Sequence, residues 1–178
     1  MGCVQLVPVD EGNIEHAFQV YQACEDFLSL GPEAKASLDM VCEDVAHSRE
    51  SHGIFSLVVN EEGDTIGVVD HVPNQCGEDG IHCYISLLMI KAQYRYQGYG
   101  KCIIKEIEDT VHRLHGINQY RVSVQTNNEQ AIRFWEGQGY VICSDPELQP
   151  DTTVVVHMKK GIGHDGFPFA EDRNRSTV

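Results

Sequence analysis

Residues 95–101 read Arg95-Tyr96-Gln97-Gly98-Tyr99-Gly100-Lys101, and the reading of this stretch decides the fold. Before it lies an apolar run, Ile81 to Lys91, with strand character, followed by the linker Ala92-Gln93-Tyr94. After it, Tyr99, Ile103, Ile104, Ile107, Val111 and Leu114 keep helical spacing, and Gly116 is placed to end that helix. A strand, a glycine loop and a helix N-terminus together form an anion site. Unpaired backbone N–H groups and the positive end of the helix dipole converge there, and glycines let a pyrophosphate approach the backbone. Arg95 and Lys101 can add positive charge.

Two nucleotide motifs compete for these residues and fit poorly. A P-loop needs four residues between its glycines and a Ser or Thr after its lysine, whereas Gly98 and Gly100 are separated by one residue and Cys102 follows Lys101. A dinucleotide fingerprint needs a third glycine where Ile103 stands, and an acid about 20 residues beyond the loop. Glu106 and Asp109 come too early and sit within the helix. A plain turn and cap is the remaining alternative for a lone Gly-x-Gly.

The flanking sequence decides between them. Leu88-Met89-Ile90, then Tyr94 to Lys101, then Asn128-Glu129-Gln130-Ala131, Trp135 and Gly139-Tyr140 together resemble the GNAT superfamily of N-acetyltransferases, with order and spacing agreeing over residues 4 to 158. The first segment matches that family's Q/R-x-x-G-x-G/A signature. The second resembles its N-x-x-A-x-x-x-Y-x-x-x-G-F segment, with Trp135 for Tyr and Tyr140 for Phe.

The resemblance implies an α/β (α+β) fold: a mixed, strongly twisted sheet of about six to seven strands flanked by about four helices. In it, the strand ending near Ile90 splays from Tyr120 to Thr126 and leaves a slot for the pantetheine arm of acetyl-CoA, the co-substrate. Leu88, Met89 and Ile90 would line that slot, with the Leu88 N–H near the thioester carbonyl. Arg95, Tyr96, Gln97, Gly98, Tyr99, Gly100 and Lys101 would hold the pyrophosphate, and Asn128 and Trp135 would touch the arm from the other side. Asn127 and Asn128 also suit a helix N-cap, with Gln130 completing a capping box for Asn127. Trp135, where many relatives carry an acidic tyrosine, reads chiefly as core on the stripe Ala131, Ile132, Trp135.

Such enzymes let an unprotonated amine attack the thioester in a ternary complex, so a base is needed. Tyr84 aligns with the strand carboxylate that serves some relatives. His82, Tyr84 and Ser86 share parity with Leu88 and Ile90 if no bulge intervenes, and His82 is the second catalytic candidate. Asp70-His71 is a lower-ranked pair. Glu25, Asp26, Glu43 and Asp44 can select an amine by charge, or be solvated helix faces.

The rest of the chain divides simply. Val4 to Val9 reads as a strand, Ile14, Phe18, Tyr21 and Phe27 as a first helical stripe capped by Asp10 or Asn13, and Ala34 to His47 as a second helix. Ile54 to Asn60 and Thr65 to Val72 form a hairpin, Pro73 to Gly80 a loop, and Tyr140 to Ile142 with Thr152 to Met158 a closing hairpin. Residues 1–160 form one acetyltransferase domain on this reading. Gly161 to Val178 is a polar, flexible tail whose Phe167-Pro168-Phe169 can dock on a second copy in a homodimer.

A net charge of -14 opposes nucleic-acid and anionic-membrane partners and suits a cationic substrate, a small-molecule or peptide amine. No apolar run approaches the ~20 residues of a membrane span. Neither a secretory signal nor an N-myristoylation motif is read at the start of the chain. Seven cysteines, an odd set without C-x-x-C, indicate neither disulfides nor a metal site, and so reduced thiols in a cytoplasm. A protein that binds acetyl-CoA without turning it over is the alternative to an enzyme.

Overall fold

The computed structural model describes residues 3–77 and 80–161. Eight strands form one sheet: β1 (Val4–Pro8), β2 (Ile54–Asn60), β3 (Thr65–Gly77), β4 (Gly80–Ile90), β5 (Gln119–Gln125), β6 (Val141–Ile142), β7 (Glu147–Leu148) and β8 (Val154–Gly161). Their spatial order is β1-β2-β3-β4-β5-β8-β6, with β7 also on β8. Every pairing is antiparallel except β4 with β5. The helices are α1 (Ile14–Ala23), α2 (Glu25–Leu28), α3 (Leu38–Glu50), α4 (Tyr99–His115) and α5 (Glu129–Gly137).

The two faces of the sheet are covered differently. Ile103, Ile104, Ile107 and Val111 of α4 and Trp135 of α5 pack on Val58, Ile66, Val69, Cys83, Ile85, Tyr120, Val122, Val124 and Met158. On the other face, Ala17, Val20 and Tyr21 of α1 and Val41 and Val45 of α3 cover Phe55, Leu57, Val68 and Met89. That second layer ends near β4. Strand alternation then places Arg121 and Ser123 of β5, with His157 and Lys159 of β8, on the stretch of this face beyond it.

Several local expectations change. The supposed loop from Pro73 to Gly80 is largely strand, because Gln75, Cys76 and Gly77 pair with His82, Ile81 and Gly80 in a tight hairpin. The second helix begins at Leu38 rather than Ala34, since the Ser37 hydroxyl accepts from the Met40 N–H at 3.1 Å and caps it there. Phe27 falls in α2, apart from the α1 stripe. Gly116 does end α4, in a left-handed conformation. The docking reading of Phe167-Pro168-Phe169 lies outside the described residues.

The cysteine reading also changes, because Cys3 and Cys102 form a disulfide across 99 residues. Only packing of β1 beside the first turn of α4 brings them together, and no local spacing could announce that. Cys24 and Cys83 are buried and free, and burial pushes the Cys83 thiol up to about 12.

Candidate active site

The site is built where β4 and β5 part. Their parallel pairing covers only Cys83, Ile85 and the intervening Tyr84, opposite Tyr120 to Val122. Beyond Ile85 the strands diverge into a fork. Ile90 turns its carbonyl oxygen to Arg95 Nε at 2.7 Å, whereas the Met89 oxygen is turned to Gly67 of β3. In a strand the N–H and C=O of alternate residues point the same way, so Leu88 presents its polar backbone to the fork as Ile90 does. An extended chain can therefore pair with β4 there.

The Arg95–Lys101 loop closes the wide end of the fork. Gly98 caps α4 with a φ of 88°, and Tyr96 also takes a positive φ. The backbone N–H groups of Gln97, Gly98, Tyr99, Gly100 and Lys101 have no protein acceptor among the described residues, the first intrahelical bond being Cys102 N–H to Gly98 O at 3.2 Å. A Cβ on Gly98 would meet nothing within 4 Å, so the loop is open on its outer side. Gly100 is needed for another reason: its Cβ would stand 2.8 Å from the Phe134 ring.

A cleft of about 780 Å³ joins these parts, lined by Leu88 to Ile90, by Gly98, Gly100 and Lys101 of the loop, and by Asn127, Asn128 and Trp135. Its roof is held by Asn127, whose amide donates to the Leu30 carbonyl at 3.0 Å. Asn128, not Asn127, caps α5, accepting from Ala131 N–H at 3.0 Å. Gln130 reaches the Tyr96 hydroxyl rather than completing a capping box. Trp135 is both core and cleft wall, packed edge-on against Phe134 and Tyr140 at 5.2 and 4.9 Å between centroids.

Arg95 is committed to the protein. Its guanidinium forks onto both Asp26 oxygens, one of them at 3.0 Å. These hydrogen bonds hold the Asp26 carboxyl below its usual range and raise the guanidinium further. Lys101 makes no ion pair among the described residues and remains the loop's available cation.

A bulge does intervene in β4 and inverts the parity expected of His82 and Tyr84. Asp70 pairs with Leu87 and His71 with Ile85, leaving Ser86 as the extra residue of β4. Cys83, Ile85, Leu88 and Ile90 therefore share the face under α4, and His82 and Tyr84 share the opposite one with Leu87 and Met89. His82 is buried near the β3–β4 turn, its Nδ1 3.4 Å from the Gly80 carbonyl. Tyr84 sits at the narrow end of the fork and crosses to β5, donating to Ser123 Oγ at 2.9 Å.

Asp70 and His71 do not form a pair, because successive strand residues face opposite ways. Asp70 accepts from Ser48 and Ser86 hydroxyls at 2.6 and 2.5 Å. His71 lies on the other face, and burial lowers its basicity. Of the proposed amine-selecting acids, Glu25 binds Lys35 and Ala36 N–H, Asp26 binds Arg95, and Asp44 accepts from Tyr21 at 2.5 Å. Burial raises the Asp44 carboxyl. Only Asp26 of the four lines the cleft.

The sequence reading gave Asn127 only a capping role and did not single out Phe134, Ser123, His157 or Glu147. Strand alternation exposed Ser123 as a polar neighbour of Val122 and Val124, but its partners lie on β8 and β7.

A twisted mixed sheet forked between its two parallel strands, with a glycine loop and helix N-terminus at the fork, defines the fold of an acyl-CoA-dependent acetyltransferase. The sequence model of the Acetyltransferase (GNAT) family matches residues 14–140, and the chain belongs to that family. Acetyl-CoA is the family's co-substrate. Among solved structures, an acetyltransferase from Thermus thermophilus is similar at a TM-score of 0.73 and 17% identity, over 91% of this chain and 100% of that one. The spermidine N-acetyltransferase of Vibrio cholerae, in complex with CoA and spermine, gives 0.69 and 14%, over 89% and 95%. RimL, a ribosomal L7/L12 alpha-N-protein acetyltransferase in complex with CoA, gives 0.72 and 13%, over 91% and 96%. Comparison with curated proteins gives no match. No described helix is long and apolar enough to cross a membrane, and no described cluster of His, Cys, Asp and Glu can hold a metal.

Proposed function

We propose that residues 1–160 act as one N-acetyltransferase domain that moves the acetyl group of acetyl-CoA to a primary amine by direct attack in a ternary complex. One observation carries this reading: Gly98, Gly100 and Lys101, whose backbone N–H groups have no acceptor among the described residues, line the same cleft as Leu88 to Ile90, where β4 has parted from β5. That donor set suits a pyrophosphate followed by an extended, amide-bearing arm. Acetyl-CoA supplies the activated acyl group and a thiolate leaving group.

The chain's own residues do the rest. The loop N–H groups and Lys101 bind phosphate oxygens. Leu88 and Ile90 hold the arm as a strand would, and the Leu88 N–H polarises the acyl carbonyl. Asn128 keeps its amide N–H₂ available while its oxygen caps α5. Trp135 walls the slot and cannot act as an acid at neutral pH. The amine enters on the face beyond α1 and α3, where Tyr84 stands.

The test joins binding and turnover. Gly98→Val places a side chain where the anion must lie, on a backbone with φ of 88°, and should weaken CoA binding at least tenfold, about 1.4 kcal/mol, by calorimetry. Unchanged affinity in the folded variant would remove the loop from the site. A panel of amines, with acetylated product followed by mass spectrometry, tests transfer; CoA binding without product from any amine would leave a non-catalytic binding protein.

A further inference from the structure

Four polar side chains on four strands form one chain of hydrogen bonds that starts at the narrow end of the fork and ends in solvent. Tyr84 donates to Ser123 Oγ at 2.9 Å. Ser123 Oγ lies 2.7 Å from His157 Nδ1, and His157 Nε2 lies 3.1 Å from a Glu147 oxygen. Glu147 is 57% exposed and so a carboxylate, which can only accept. His157 Nε2 therefore carries the hydrogen, its Nδ1 is bare, and Ser123 must donate to it. Every donor in the series points from Tyr84 towards Glu147.

We propose that this series is the proton exit of the transferase: Tyr84 receives the ammonium proton of the acceptor, and Ser123, His157 and Glu147 carry it away. The proposal rests on the N-acetyltransferase reading above and adds the residues that make the amine nucleophilic. Tyr84's donor is spent on Ser123, so its oxygen keeps lone-pair capacity to accept from the acceptor amine.

The proton balance is closed. As the ammonium gives a proton to the Tyr84 oxygen, Tyr84 passes its own to Ser123 Oγ, and Ser123 passes its own to His157 Nδ1. His157 becomes an imidazolium beside the Glu147 carboxylate and discharges to solvent. The neutral amine uses its lone pair to form the C–N bond, the C–S bond breaks, and the sulfur leaves with that electron pair. The remaining excess N–H proton neutralises the thiolate. Tyr84 is then a catalytic residue, and the other three, acting through it, are positioning residues.

Backbone pairing holds the series rigid. Ser123 and His157 are register partners on β5 and β8, Glu147 pairs opposite Val155 two residues from His157, and the His157 N–H also donates to Ser144 Oγ at 2.9 Å. Among the described residues, the other titratable side chains that alternation places on this face of β4, β5 and β8 are His82, Arg121 and Lys159.

The experiment uses the full chain, acetyl-CoA, and spermidine or whichever panel amine is acetylated fastest. Tyr84→Phe, Ser123→Ala and His157→Gln should each lower kcat at least tenfold while CoA affinity by calorimetry stays within twofold. His157→Gln should also flatten the acid limb of the native kcat profile. Nitrogen-15 spectra of the histidines, which need no turnover, should show neutral His157 protonated on Nε2. Native rate and an unchanged acid limb in His157→Gln, or an Nδ1–H tautomer, overturn the proposal. Absence of product from the native protein overturns the transferase reading itself and the exit route with it, and is recognised because it appears before any substitution.

Discussion

Two polar clusters sit on opposite faces of the same sheet and contain similar chemistry, yet their surroundings assign them different work. Under α4, Glu108 accepts from Tyr140 at 3.0 Å and from Lys160 at 2.7 and 2.9 Å, with the Glu108 and Lys160 side chains 8% and 12% exposed. Burial raises the Glu108 carboxyl, and Lys160 opposes that rise. On the other face, Tyr84, Ser123, His157 and Glu147 run from half-buried to exposed. A closed cluster has nowhere to send a proton and can only tie α4 to β8. An open one costs little to build and can exchange with water. Residue type alone does not tell them apart; access to solvent does.

The sharpest way to break this contrast is Lys160→Met, which leaves Glu108 buried without its counter-charge. Urea unfolding should show a loss of about 3–5 kcal/mol, and the double variant Glu108→Gln/Lys160→Met should recover most of it. A loss under about 1 kcal/mol would mean that water already reaches Glu108.

Gly100→Ala probes the dry side in a different way. Its Cβ would stand 2.8 and 2.9 Å from two carbons of the Phe134 ring, so overpacking should cost about 1–3 kcal/mol. Gly100→Ala with Phe134→Leu should be milder than the sum of the two single changes.

Ser123→Ala is the counterpart on the wet side. Water can replace a half-buried hydroxyl there, so stability should change by less than about 1 kcal/mol while turnover falls. A loss as large as that of Lys160→Met would make the open cluster structural as well.

The smallest effect belongs to Asp26→Asn at the rim of the cleft. Asp26 is depressed chiefly by hydrogen bonds from Arg95, so its contribution is present above the ordinary carboxylate value of 3.8 and is lost as pH falls through the lower folded value. The native chain should exceed the variant by under about 1 kcal/mol near pH 7, since Asp26 is 58% exposed, and that margin should vanish under acid. A margin that survives below pH 2 would show that Arg95 is not its source.

Legibility followed the same division. Local patterns gave β2, the helical stripe of α4, its left-handed stop at Gly116 and the loop that caps its start. They held the break at Gly31-Pro32 but placed the start of α3 too early, because the capping hydroxyl is that of Ser37, three residues beyond Ala34. The expected face of His82 and Tyr84 was inverted by one residue: Ser86 bulges from β4, and a period-two pattern inverts at a bulge.

Sequence alone carried the family, the glycine loop and the strand and helix that flank it, because those signals lie within a few residues of one another and rest on glycine conformation and apolar spacing. Only the tertiary structure decided what lies 20 to 100 residues apart. It joined Cys3 to Cys102, committed Arg95 to Asp26 and put Tyr84 and His82 on the face away from α4. It also strung Tyr84, Ser123, His157 and Glu147 across four strands. The physical reason is that strand register is set by whole-face burial and bulges, so which polar side chains meet is fixed by the packing of the entire sheet and not by any one segment of it.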